Sequence, residues 1–218
     1  MKKIITSTLV LCIITLVAGL CLAVVYEVTK EPIAAAEEKA ALAAYQSVFP
    51  TADAFETQEL APIPPDASTV VEKIAMAKQG SEALGWALTV TSHEGYGGDI
   101  TIAMGISPDG TLTGISVISQ GETAGLGAKC KDAAFTDRFV GISGGHITLV
   151  KTEAAGNDQV QAISGATVTS TAVVKAVNTG LSYVYEQYLG GLQQPVEPST
   201  EQPTEQPTEQ LTEEVTRS

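Results

Sequence analysis

The chain has 218 residues and a formal net charge of −13, and its tail at 193–218, with six Glu against one Arg, accounts for −5 of that. An acidic surface repels phosphate backbones, and with only 5% aromatic residues there is little to stack on bases, so nucleic-acid binding is excluded as a function class. Of three cysteines, Cys12 and Cys21 fall inside an apolar N-terminal run, which leaves neither a disulfide framework nor metal-ligand spacing; the core has to stand on apolar burial.

Residues 4–25 run for 22 positions without a charge, about 33 Å as a helix, the thickness of a bilayer's hydrocarbon core. A cleaved secretory signal has a shorter apolar stretch followed by small residues, and Val24, Val25 and Tyr26 do not supply them. The stretch Leu16-Val17-Ala18-Gly19-Leu20-Cys21 is similar to a lipid-modification signal, but Leu20 is bulky where a small residue belongs. A retained transmembrane helix is therefore expected. Lys2, Lys3 and the amino terminus precede it, while Lys30 alone follows closely, so residues 1–3 face the cytoplasm and everything after Tyr26 lies on the outer side.

Residues 26–50 read as a juxtamembrane helix, with Pro32 in its first turn, apolar Ile33, Leu42, Tyr45 and Phe49, and Pro50 at its end. The segment 51–68, with Pro62, Pro64 and Pro65 among acidic residues, reads as a loop. Four strands follow at 70–77, 83–92, 100–106 and 112–119, each β-branched or alternating. Ser107-Pro108-Asp109-Gly110 joins the last two as a hairpin, and Gly95-Tyr96-Gly97-Gly98 marks a sharp turn or a close approach to a ligand. A short helix at 132–140, short strands at 147–151 and 160–163, and a long helix at 169–189 complete the domain. The fold class is thus α+β: one transmembrane helix, then an outer domain at 51–190 with antiparallel strands and a long C-terminal helix. The tail at 191–218 repeats Thr-Glu-Gln-Pro and reads as disordered spacer.

Few isolated residues suggest chemistry. Cys130 between Lys129 and Lys131 is either a thiol activated by its neighbours or a small buried hydrophobe. His93 and His146 have no nucleophile or metal partner at a recognisable spacing, and Trp86 alternates like a core residue.

The segment Ser164-Gly165-Ala166-Thr167-Val168-Thr169-Ser170 is different, because it links a strand to the long helix. Unpaired N–H groups and the positive end of a helix dipole make such a place an anion site, and Gly165 admits close approach. Ser and Thr are also favoured helix caps, so hydroxyls alone do not decide between a phosphate site and capping. The same run resembles the flavinylation motif of FMN-binding domains in the G subunits of Rnf-type oxidoreductases and in the C subunits of sodium-translocating NADH:quinone reductases. Gly121-Glu122-Thr123-Ala124-Gly125-Leu126-Gly127-Ala128-Lys129 is similar to a second element of that family, in family order; the Gly95-Tyr96-Gly97-Gly98 segment and Thr29-Lys30-Glu31-Pro32-Ile33 resemble it too, so the resemblance covers roughly 1–190. Ala124, Gln120 and Gln161 stand where the family has a proline, often a histidine and often an aspartate.

What the resemblance implies is specific. FMN is joined by a phosphoester to Thr167, within Ser164, Gly165, Ala166, Thr169 and Ser170. Glu122, Thr123, Gly125, Leu126 and Gly127 lie by the flavin, and Lys129 is either an aid to a reduced anionic ring or a solvated charge. An unassisted threonine hydroxyl is a poor nucleophile, so a flavin transferase is implied as a maturation partner. The expected role is a redox subunit, not an independent catalyst, of an ion-translocating ferredoxin:NAD oxidoreductase, working with other membrane subunits. A component of a sodium-translocating quinone reductase, or an anchored adhesion module with no redox role, are the alternatives.

Overall fold

The computed structural model describes residues 2–60 and 68–190; the acidic tail, residues 61–67 and Met1 lie outside the described residues. The first element, α1 (Lys2–Val48), is one uninterrupted helix of 47 residues, about 70 Å long at 1.5 Å per residue. Its apolar side chains from Ile4 to Val28 are exposed, and by length and composition it is able to cross a membrane. Pro32 was expected to open a second helix, but it lies inside the first. A proline removes one intrahelical hydrogen bond, and the Ala-, Glu- and Lys-rich residues after it are strong helix formers that carry the helix through.

Beyond the helix lies a five-stranded antiparallel sheet in the order β1 (Ala54–Gln58), β2 (Thr69–Gln79), β3 (Glu82–Ser92), β4 (Ile100–Ile106), β5 (Leu112–Gln120). β2 to β5 lie where alternation placed strands. β1 corrects the loop expected at 51–68: it is an exposed edge strand, in register from Ala54 opposite Lys78 to Gln58 opposite Ile74. Edge strands that bury little have no alternating pattern to reveal them.

The two faces of the sheet differ in side-chain size, which follows from the period of two along each strand. One face presents Ile74, Leu88, Val90, Ile102, Met104 and Ile106, packed with Val173, Val177, Leu181 and Val184 of α3 (Thr167–Gln187). The other presents Ala75, Ala77, Ala87 and Ala103 to Ala44, Tyr45, Val48 and Phe49 at the end of α1. Fully burying a Leu, Ile or Met contributes about 1.5–3 kcal/mol, so the α3 face supplies most of the apolar stabilisation. The alanine face instead lets α1 come close. A Cβ at Gly105 would collide with Thr113 Oγ1 and the Phe49 ring and crowd Val48. Tyr45 Oη lies 2.7 Å from Thr89 Oγ1, and Thr113 Oγ1 donates to the Val48 carbonyl at 2.9 Å, so polar bonds fix the docked helix end.

From β5 the chain passes through a 3-10 turn (Gly127–Lys131), α2 (Ala133–Thr136), a second 3-10 turn (Asp137–Phe139), and the parallel pair β6 (Thr148–Val150) and β7 (Gln159–Gln161) before α3. The helix expected at 132–140 is thus one α-turn continued by a 3-10 turn, whereas α3 begins two residues earlier than expected. The hairpin at Ser107-Pro108-Asp109-Gly110 forms as read, with Gly110 at φ +82° and its N–H donating to the Ser107 carbonyl. Tyr185 donates to the Gly110 carbonyl at 2.9 Å, and Asn178 pairs with both backbone groups of Ile147, so α3 holds the hairpin and β6 in place.

Candidate cofactor site

A cleft of about 630 Å³ opens where the N-terminus of α3 meets the loop after β5 and the turn between β3 and β4. That volume is in the range of cofactor sites. On the α3 side it is lined by Gly165, Ala166, Thr167, Val168 and Thr169, and on the facing side by Glu122, Thr123, Leu126, Gly127 and Tyr96.

The strand-to-helix segment explains why the cleft ends at a helix N-terminus. Gly165 takes φ +77°, a left-handed conformation that lets the chain reverse after Ile163, and the Ala166 N–H closes the turn on the Ile163 carbonyl at 3.0 Å. Ala166 is the N-cap, and no side chain caps α3. The first N–H groups of any helix lack intrahelical partners. Those of Thr167, Val168 and Thr169 therefore meet the cleft at the positive end of a 21-residue helix. No side-chain hydroxyl caps α3, so capping does not account for the hydroxyl cluster in the sequence.

Each hydroxyl of the segment has its own task. Ser170 is fully buried; its Oγ donates to the Ala166 carbonyl and accepts from the Ile163 N–H, both at 2.9 Å. It staples the turn from inside and does not line the cleft. Thr169, also buried, donates to Glu122 Oε2 at 2.6 Å. Thr171 donates back to the Thr167 carbonyl at 2.9 Å. Thr167, the first residue of α3, is exposed on the cleft, and Ser164 is exposed beside it, outside the lining.

Glu122 joins the three elements. It is 8% exposed, and its second oxygen accepts from the Gly97 N–H at 2.9 Å, so one carboxylate ties the β3–β4 turn to the first turn of α3. Its own N–H donates to Gln120 Oε1 at 2.5 Å. A buried carboxylate is tolerable when its oxygens are hydrogen-bonded. The surrounding glycines leave room for it: a Cβ at Gly127 would collide with both Glu122 Oε2 and Thr169 Oγ1, and one at Gly97 with the Gly121 carbonyl. Gly125 (φ +80°) shapes the same loop without lining the cleft, and Lys129 is exposed on the following 3-10 turn, also outside the lining.

Cys130 is fully buried in the main core. Burial first, and then the negative charge of Glu122, push its thiol up to about 11. Of the two readings Cys130 is thus the small buried hydrophobe, and the charge of Lys131 does not offset desolvation. The reactive form is the thiolate. Maleimide or iodoacetamide at pH 8 is therefore expected to leave Cys130 unmodified in the folded protein and to label it after denaturation. Peptide mass mapping reads the difference, and rapid labelling of native Cys130 contradicts the placement. His93 is exposed with Nδ1 2.9 Å from Asp99 Oδ1, His146 is exposed, and Trp86 is half-buried against the core beside Tyr188.

Two lining residues, Val168 and Tyr96, are absent from the expected site residues although both lie in stretches that resemble the family. Val168 sits inside the motif, but its hydroxylated neighbours carry the chemistry there. Tyr96 lies in the Gly95-Tyr96-Gly97-Gly98 segment, where the glycines were read as a turn or a close approach to a ligand and the aromatic side chain itself was passed over.

Comparison with known proteins gives this geometry a family. Residues 95–182 match the FMN-binding domain, which contains every residue of the cleft, and residues 1–48 match the RnfG N-terminal region, which coincides with α1. The G subunit of the Na+-translocating ferredoxin:NAD+ oxidoreductase complex of Acetobacterium woodii is 34% identical over 187 residues, covering 82% of this chain and 89% of the relative. The G subunit of the ion-translocating oxidoreductase complex of Cereibacter sphaeroides is 31% identical, covering 88% and 89%. The C subunit of a Na+-translocating NADH-quinone reductase from Parabacteroides distasonis, a solved structure, overlaps with a TM-score of 0.47 at 26% identity, covering 55% of this chain and 63% of that one. With full-length relatives spanning more than four fifths of it and both family regions in order, the chain belongs to the RnfG family, the G subunits of ion-translocating oxidoreductase complexes.

Proposed function

We propose that this chain is the membrane-anchored flavoprotein subunit of an Rnf-type ion-translocating ferredoxin:NAD oxidoreductase complex, and that it carries FMN esterified through its phosphate to Thr167. The observation that carries the reading is the exposed Thr167 hydroxyl at the uncapped start of α3, inside a cleft that lies wholly within the FMN-binding region. The residues present suit the group. The open N–H groups of Thr167 to Thr169 favour a phosphate, Gly165 keeps side chains away from it, and Leu126, Val168 and Tyr96 offer apolar surface to a ring system.

FMN supplies the redox chemistry when bound, and the protein holds and orients it. A tether at the phosphate end keeps the cofactor at high local concentration without touching the ring. Nothing in the cleft lining activates Thr167: both oxygens of Glu122 are already hydrogen-bonded elsewhere. Attachment therefore falls to a separate flavin transferase, which fits a hydroxyl that is solvent-accessible and not buried. The excess of basic residues before the apolar run supports an outer-side location for the flavin domain, with other membrane subunits as electron donor and acceptor.

The test is the mass of the peptide containing Thr167, isolated from membranes in which the transferase is active. The expected mass is that of the amino acids plus one FMN less one water, with fragmentation placing the addition on Thr167. A peptide of unmodified mass overturns the covalent assignment.

A further inference from the structure

We infer that Tyr96 forms a wall of the flavin site, its ring stacked on the isoalloxazine system of the cofactor; this rests on the FMN reading above and adds a residue to it. Tyr96 is 77% exposed, the most exposed aromatic side chain among the described residues. Elsewhere in the domain aromatic rings are put to work in packing: Tyr45, Tyr183, Tyr185, Phe135 and Phe139 are buried, and Trp86 packs on Tyr188. A ring so exposed contributes little to folding, yet it lines the same cleft as Thr167.

Its position is fixed, not incidental. The next residue, Gly97, donates to the buried Glu122 carboxylate, which also holds Thr169 in the first turn of α3. Gly97 fits so closely that a Cβ there would meet the Gly121 carbonyl, and a Cβ on Gly95 would meet the Gly98 carbonyl and Glu122 Oε1. The turn is therefore locked to the loop and helix that frame the cleft, and Tyr96 projects from a rigid base. Leu126 and Val168, 48% and 51% exposed, line the same opening. Three exposed apolar side chains around one opening suit a flat apolar ligand. Ring pairs prefer offset stacking, worth about 0.5–1.5 kcal/mol beyond area burial, which converts to about a two- to tenfold preference for the stacked state.

The test uses the full-length protein co-expressed with a flavin transferase, comparing wild type, Tyr96→Ala and Tyr96→Phe. Flavin content is first established by mass on the Thr167 peptide. In flavin-loaded Tyr96→Ala the stacked-to-unstacked ratio falls about two- to tenfold, read as stronger flavin fluorescence and weaker visible circular dichroism, while Tyr96→Phe keeps the dichroism. Unchanged dichroism and fluorescence in loaded Tyr96→Ala overturn the role of Tyr96 and leave the FMN reading intact; a wild-type protein without flavin overturns that reading itself. If the transferase fails to modify the Tyr96 variants, FMN is titrated against Thr167→Ala with and without Tyr96→Ala. A Kd raised by the same factor supports the stacking, and an equal Kd overturns it.

Discussion

Thr167→Ala is expected to leave a folded, membrane-anchored protein from which all flavin is lost on denaturation. Co-expressed with the transferase, the wild type shows flavin fluorescence at its own band in a denaturing gel, and the variant shows none. The effect is all-or-none because a phosphoester needs a hydroxyl oxygen and the neighbours cannot lend one. Thr169 is buried and bonded to Glu122, Ser170 is buried and holds the turn, and the Thr171 hydroxyl is turned back onto the Thr167 carbonyl. Stability hardly changes: the side chain is exposed at the first helical position and caps nothing, and such surface substitutions stay within about 0.5 kcal/mol. Fluorescence at full strength in Thr167→Ala would falsify the position of the bond.

A second large effect is structural and arises at Glu122. Replacing it with alanine orphans two donors at once, the buried Thr169 hydroxyl and the Gly97 N–H. Gly97 is exposed and its N–H can turn to water, so the buried Thr169 hydroxyl sets the cost: about 1–3 kcal/mol for an unsatisfied buried donor, seen as a fall of about 5–10 °C in thermal midpoint. Glu122→Gln separates geometry from charge. Its amide oxygen still accepts from Gly97 and its NH2 donates to Thr169 Oγ1, which holds the loop together, so its cost stays near 1 kcal/mol. The same change removes a negative charge from the edge of the site proposed to hold the FMN phosphate, so on that reading the amide variant binds free FMN at least as well as wild type. Calorimetry on both variants checks the pair, and an alanine variant as stable as wild type shows that the clamp does not hold the cleft.

The strands were legible where they bury one face. Leu88, Val90, Ile102 and Met104 alternate with small or polar residues, and that pattern survives any detail of packing. β1 was not legible, because at the sheet edge only Phe55 and Gln58 are even half-covered. The course of α1 was misread at Pro32, since one proline is weaker than the helical preference of the residues around it. In the site, Ser164 to Ser170 and Gly121 to Lys129 stood out by resemblance, but which hydroxyls face the cleft did not. That distinction was available from helical spacing: Ala166, Ser170, Val173, Val177, Leu181 and Val184 follow the buried stripe of α3, so Ser170 belongs to the inner side. What no local pattern holds is the Glu122 bridge to Gly97 and Thr169, residues 25 and 47 positions away.

Because α1 runs unbroken from its lipid-compatible half to the alanine face of the sheet, the domain rides on the end of a shaft. A helix turns about 100° and rises about 1.5 Å with each residue. One residue inserted between 31 and 40 would swing the cleft by more than a quarter of a revolution around the shaft, whereas seven would bring it nearly back to its starting bearing and merely lift it by about 10 Å. The direction in which the flavin faces its neighbours is therefore encoded in the phase of this linker, and tolerance to insertions there should rise and fall with the helical repeat instead of declining steadily with length.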